Sequence, residues 1–209
     1  MATLADLKTR IITETNRDDL TDDLATALDE VISRAIEFYA VQRFTFNEYR
    51  QTASTVANNQ YVTLPSGVRM IDYLSVTVGA NAYPLRPQAW QVIEEWNGYA
   101  TTSGQPTDYS VQAGTVRLYP VPNIAYVLTF LGVYDVTPAL DYADGTSTNA
   151  WLTDGYDLIA ARVRYLLYRD YFRDDAGASI ALGAEQEALS DLRNSASKLL
   201  GTGRMRGSW

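Results

Sequence analysis

The stretch QPTDYSVQAGTVRLYPVPNIAYVLTF, Gln105 to Phe130, carries the pattern from which the rest of the chain can be read. It alternates apolar and polar residues, breaks at Ala113-Gly114, halts at Pro120-Val121-Pro122 and then alternates again. This spacing predicts strands from Asp108 to Gln112 and from Thr115 to Tyr119, paired around the Ala-Gly turn. Pro120 and Pro122 withhold ladder donors and end the second strand, and a further strand runs from Tyr126 to Val136. No nucleophile lies beside a base here, so the stretch reads as a building part.

Upstream, the period is also two. The runs RQTASTVA and QYVTLP flank Asn58-Asn59 as the arms of a hairpin would, and GVRMIDYLSVTV is a longer strand ending at GAN. Pro87 then opens a short helix, PQAWQVIEEWNG, with proline in its first turn and glycine just past its last.

Both ends of the chain switch to helical spacing. Leu4, Leu7, Ile11 and Ile12 mark a first helix. A second runs from Thr21 to about Gln42 with Leu24, Ala27, Leu28, Val31, Ala35 and Phe38 on one stripe. Thr21 is its N-cap, and Asp22 and Asp23 meet the positive end of the helix dipole. Asp22, Asp29 and, less closely, Glu37 fall on the face opposite the stripe.

After the polar loop DYADGTSTNA, the segment DGYDLIAARVRYLLYRDYFRD is apolar on most sides and belongs at the centre of a bundle. On an α-helical wheel Arg162, Arg169 and Arg173 lie within about 40° of one another, forming a basic line. A last helix from about Ser179 to Leu200 sets Leu182, Glu185, Leu189, Leu192, Ala196 and Leu199 along one seam. Gly201 and Gly203 end it, leaving the tail GTGRMRGSW with Arg204, Arg206 and Trp209.

Composition excludes whole classes of chemistry. Among 209 residues there is no Cys and no His, which removes thiol nucleophiles, Ser-His pairs, Cys/His zinc sites and the usual neutral-pH proton shuttle. No apolar run approaches the roughly 20 residues of a membrane span, and MATLADLKTR lacks a signal-peptide core, so synthesis in a cytoplasm and no membrane partner are expected. The net charge of −8 argues against a protein that grips nucleic acid through phosphates. That charge is uneven: residues 1–50 hold 6 bases and 10 acids, 51–150 hold 3 and 7, and 151–209 hold 8 of each. Asp18, Asp19, Asp22 and Asp23 lack the glycine and later glutamate of a calcium loop, and Asp141, Asp144 and Asn149 fit a turn better than a cation site. No cofactor or metal is therefore expected.

The fold class is α+β: a bundle of about four helices with a β-rich insertion and an extended C-terminal tail. The expected boundaries are 1–43 plus 150–200 for the helical core, 44–149 for the insertion and 201–209 for the tail. In this order of elements the chain resembles the head-tail adaptor (connector, or gatekeeper ring) proteins of tailed bacteriophages. The resemblance covers nearly the whole chain and rests on NRDDLTDDLATALDEVISRAIEFYAVQRFTFNE, on the opening stretch, and on WLTDGYDLIAARVRYLLYRDYFRDD before a final helix.

The resemblance implies a structural virion protein of the neck, not an enzyme. It implies a homo-oligomeric ring, usually of twelve copies, that binds the portal protein and offers its other end to a tail nozzle, hub or next neck protein. Double-stranded DNA would pass through the ring without specific binding. The family's C-terminal extension reaches between portal subunits, which assigns portal binding to Arg204, Arg206 and Trp209 here. The acidic and basic lines, Asp22, Asp29, Arg162, Arg169 and Arg173, are the candidate subunit interface. The alternative from another class is a tail-associated carbohydrate-binding or cell-wall glycan hydrolase module. For hydrolysis, Glu94 or Glu95 would be the acid, but adjacent helical residues point about 100° apart and cannot form one pair.

Overall fold

The structure, a computed structural model, describes residues 1–17, 25–99 and 102–199. In chain order its elements are helices α1 (Leu4–Thr15) and α2 (Ala25–Ala40), then strands β1 (Glu48–Ser54), β2 (Tyr61–Thr63), β3 (Val68–Val78), β4 (Asn81–Pro84) and β5 (Arg86–Pro87). Helix α3 (Trp90–Tyr99) precedes β6 (Ser103–Gly104), β7 (Asp108–Gln112), β8 (Thr115–Tyr119), β9 (Val121–Pro122) and β10 (Val127–Tyr134). Helices α4 (Ala150–Thr153), α5 (Tyr156–Leu166) and α6 (Asp175–Leu199) follow, with a π-helical segment, Leu167–Phe172, between the last two. The N- and C-terminal helices thus flank a β-rich insertion, and the chain forms two compact units, Met1–Asn47 with Val136–Trp209, and Glu48–Asp135.

In the helical unit, α1 starts at a capping box. The Thr3 hydroxyl accepts the Asp6 N–H at 3.2 Å while the Asp6 carboxylate accepts the Thr3 N–H at 2.8 Å. The helix stops at Asn16 in the left-handed region, φ +50°. Leu4, Leu7 and Ile11 from α1, Leu28, Val31, Ile32, Ala35 and Tyr39 from α2, and Leu158, Ile159, Val163 and Leu166 from α5 share one core. Helix α5 contacts α1, α2, α4 and α6, the central place its apolar sequence predicts. The buried stripe of α2 passes through Tyr39, whereas Phe38 is 48% exposed. Val136 joins this core, Leu140 and Tyr142 pack against it, and Ser147 and Gly145 accept the N–H groups of Leu4 and Ala5, so the stretch before α4 is bound to the helices.

Helix α6 begins earlier than its apolar spacing predicts, because Asp174 caps it by accepting the N–H groups of Ala176 and Gly177. Its buried seam is Ala178, Ala181 and Glu185, while Leu182 is exposed. The predicted N-cap Thr21, the acids Asp18, Asp19, Asp22 and Asp23, and the tail from Gly201 lie outside the described residues. No helix among the described residues is long and apolar enough to cross a membrane.

The β unit is a sandwich. One sheet has the order β1-β10-β3-β4, the other β2-β8-β7-β5, and β6 pairs with β9 as a separate ribbon. Leu74, Val76, Leu128 and Phe130 of the first sheet meet Val62, Tyr109, Val116 and Leu118 of the second. The β7–β8 hairpin forms as predicted, with Gln112 opposite Thr115 and Asp108 opposite Tyr119. Its turn residues Ala113 and Gly114 both have positive φ, +47° and +76°, the geometry that matches strand twist.

Two expectations are corrected. Strands β1 and β2 do not pair around Asn58-Asn59: β1 pairs with β10 and β2 with β8. The Thr55 N–H donates to the Tyr126 carbonyl and the Asn58 N–H to the Pro122 carbonyl, so this segment follows the β9–β10 corner and carries the chain from one sheet to the other. Pro87 does not open α3. It sits in the edge strand β5, between the bonds from Arg86 N–H to Thr107 and from Gln88 N–H to Tyr109, where its missing donor costs nothing.

The pairing of β10 with β3 shifts register between Leu131 and Gly132. There the backbone comes so close that a Cβ on Gly132 would lie 2.0 Å from the Met70 carbonyl oxygen. Gly132→Ala must therefore move a central strand and is expected to destabilise the protein by about 3 kcal/mol or more. Gly98→Ala in α3, where a Cβ meets nothing within 4 Å, should raise stability by up to about 1 kcal/mol. Thermal and urea melts of the two variants check both signs.

Candidate assembly interface

Arg162 projects from α5 onto α6 and α2. Its guanidinium bonds the Glu185 carboxylate at 3.2 Å and lies 3.8 Å from the centre of the Phe38 ring. The two charged side chains are 13% and 6% exposed, so the pair is effectively inside the helical unit. The Tyr39 hydroxyl donates to the same Glu185 oxygen. Burial first, and then the hydrogen bond to Glu185 and its charge, raise the Tyr39 phenol above its ordinary value of 10. Glu185 was legible as a charged residue in an apolar seam, but its partners were not.

The wheel that aligns Arg162, Arg169 and Arg173 assumes a continuous α-helix. Beyond Leu166 the chain is π-helical, which changes the phase of every later side chain. Arg162 and Arg169 are still brought together, each 5.2 Å from the centre of the Tyr165 ring. Arg173 is not: it ends the π segment in the left-handed region, φ +52°, and is exposed without an ion pair among the described residues. Arg169 bonds Asp170 at 2.5 and 2.9 Å, and Arg34 of α2 reaches Asp170 at 3.1 Å. Asp170 is held below the usual carboxylate range by Arg169 first and, against the opposing effect of burial, by Arg34. Asp29 pairs with Lys8 at 2.5 Å and ties α2 to α1. Asp22, Arg204, Arg206 and Trp209 lie outside the described residues.

A second surface lies in the β unit, where α3 covers the outer face of the β2-β8-β7-β5 sheet. Ile93 is fully buried there and Trp96 packs on Tyr119 at 5.0 Å. The layer between is polar. Arg117 of β8, 3% exposed, pairs with Glu94 of α3 and bonds Gln60 at 3.2 Å. Asp108 accepts Thr107, Arg86 and Gln88 at 2.7, 3.0 and 3.1 Å. Burial alone would raise the Asp108 carboxyl, yet these bonds outweigh it and hold the group below the usual carboxylate range. Beside β2 a groove of about 480 Å³ is walled by Tyr61 and Trp90, with Thr63, Gln112 and Thr115 along it. No group of three or more acidic side chains able to hold a metal occurs among the described residues.

Glu185→Ala would leave the Arg162 charge buried and unpaired and should cost about 3 kcal/mol in urea denaturation. Arg162→Met with Glu185→Leu removes both charges and should recover most of that loss. Because the native Tyr39 phenol is raised, its contribution to stability is intact below about pH 10 and is lost as the pH climbs from there towards the native value. Tyr39→Phe should therefore lose less stability than the wild type as the pH rises above about 10.

Among the described residues the arrangement contains self-neutralised ion pairs and surface grooves, with no nucleophile set beside a base. No curated protein matches the chain. Residues 2–206 match the family described as SU10 adaptor protein. With almost its whole length covered by that match, the chain belongs to the SU10 adaptor family, the structural, non-catalytic head-to-tail adaptors, or connectors, of tailed bacteriophages.

Proposed function

We propose that the protein forms a closed ring of about twelve copies beneath the portal in the virion neck, joins the portal to the next tail component and lets double-stranded DNA pass through its centre. The observation that carries this reading is the family match over residues 2–206. The charge is consistent with it: at a net −8 per copy, the protein lacks the surplus of Lys and Arg that would hold a phosphate backbone, so DNA slides. At physiological salt repulsion fades beyond about 8 Å, so a wide channel does not oppose passage.

Subunit contacts draw on Asp22 and Asp29 of one copy and on Arg169 and Arg173 of the next. Arg162 acts from inside, holding the Tyr165 ring against which Arg169 lies. Docking to the portal falls to Arg204, Arg206 and Trp209, since Arg and Trp are the side chains most enriched among interface hot spots.

Closing a ring brings many net-negative copies together, so a template is needed to offset their repulsion. Light scattering should find the free protein monomeric at moderate salt, and electron micrographs should show rings once the portal protein of the same genome is added. A stable ring of isolated protein would remove the template, and no ring with portal would remove the reading. Deleting Gly201 to Trp209 should leave circular dichroism and melting unchanged while co-sedimentation with portal falls at least tenfold, a loss of about 1.4 kcal/mol or more. Trp209→Ala should reproduce much of that loss.

A further inference from the structure

The sandwich has four sheet edges, and they are not alike. Edge strand β1 carries Glu48 and Arg50, and edge strand β5 is Arg86 and Pro87. Charge and proline on an edge are the usual guards against strand addition. The remaining two edges have no charge: β2 is Tyr61-Val62-Thr63, and β4 is Asn81-Ala82-Tyr83-Pro84, exposed at every residue. In the β4 strand only the closing Pro84 acts as a guard.

Backbone phase shows what each edge offers. In the ladder of β2 with β8, the Leu118 N–H donates to the Gln60 carbonyl and the Leu64 N–H to the Gly114 carbonyl. Even-numbered residues therefore bond inward, and Tyr61 and Thr63 turn their backbone groups to the open side. The Tyr61 N–H is already taken by the Asn59 side chain at 3.0 Å, which leaves Thr63 with both a donor and an acceptor. In the ladder of β4 with β3, the Leu85 N–H donates to the Leu74 carbonyl, so Ala82 and Pro84 face outward. Pro84 has no N–H, and Ala82 alone offers both groups.

The two edges lie on opposite sides of the sandwich. The β4–β5 connection closes one side and the β1–β2 connection closes the other, because β4 and β1 are the two ends of one sheet and β5 and β2 the two ends of its partner. Edges that face opposite ways on one chain make a head-to-tail contact, the type that closes into rings.

We propose that neighbouring copies in the ring join by strand addition, β4 of one copy pairing antiparallel with β2 of the next, with Ala82 opposite Thr63. In this register Ala82 and Thr63 exchange both hydrogen bonds, and Pro84 and Tyr61, neither with an N–H to give, fall opposite each other. The occupant of the β2 edge is thus a second copy of this chain. In this register Tyr83, 43% exposed, falls opposite Val62 on the core side of the sheet, while Ala82 and Pro84 share the face of Thr63 and Tyr61, where Pro84 meets the Tyr61 ring that walls the groove beside β2. The pairing rests on the ring reading above and assigns its contact within the β unit.

The natural chain has no cysteine, so a cross-link reports only the residues introduced. Across such a hydrogen-bonded pair the Cα atoms stand about 5.5 Å apart, within disulfide reach. Thr63→Cys with Ala82→Cys in one chain, assembled on portal and mildly oxidised, should give a non-reducing gel ladder extending to the full ring. Either single variant should give none. Thr63→Pro, which loses only the outward N–H, should melt like the wild type yet assemble at least tenfold less well. Rings that are visible in micrographs but do not cross-link, or that form normally with Thr63→Pro, would overturn the strand pairing and leave the ring intact. Wild-type protein that makes no ring on portal overturns both.

Discussion

Antiparallel pairing of β1 with β10, from Glu48 opposite Val133 to Ser54 opposite Val127, holds the two ends of the insertion side by side. The helical unit is assembled from both ends of the chain, so it can close only if the 88-residue span from Glu48 to Asp135 delivers its end close to where it began. Strand β10 does this from the middle of its sheet, bonded to β1 on one side and β3 on the other. Gly132 sits in that strand at the point of tightest backbone approach. A conformational demand on one glycine therefore bears on the union of α1 and α2 with α5 and α6, which are far away in sequence.

The patterns that were legible in the sequence are those set by neighbours in the chain. The β7–β8 hairpin needs two residues at positive φ, and Ala113-Gly114 supplies them locally. The central place of α5 follows from a sequence that is apolar on most sides. What could not be read depends on partners distant in sequence. Asn58 does adopt positive φ, as a hairpin turn would, but the hydrogen bonds of Thr55 and Asn58 go to Tyr126 and Pro122, and these decide that the flanking strands part. Likewise, Pro87 carries the same local signal at a helix start and on a sheet edge, and only β7 distinguishes the two. The basic line through Arg173 was lost to the π-helical segment, a change of helical pitch that a wheel at fixed angle cannot anticipate.

Several charged side chains of the helical unit are paired within it. Lys8 holds Asp29, Arg10 holds Glu14 and Asp157, Arg164 also holds Glu14, and Arg34 shares Asp170 with Arg169. These pairs are partly exposed, and each contributes little on its own, under about 1 kcal/mol. Their value is in registering helices that come from opposite ends of the chain, as Arg10 to Asp157 does across 147 positions. These five basic side chains are engaged within the unit, and the chain as a whole carries more acids than bases, 25 against 17.

Buried titratable groups give the same account of the β unit and the helices. Groups that move protons in catalysis have values brought towards neutrality. Here the shifts run the other way. Asp108 is locked as a carboxylate by Thr107, Arg86 and Gln88, and Tyr39 is locked as a phenol by burial and by the charge of Glu185. Glu94, the one acid of α3 that meets a buried base, is paired with Arg117. A polar interior in which every shift fixes a charge state gives rigidity and a single arrangement of strands and helices. Rigidity of that kind suits a structural adaptor.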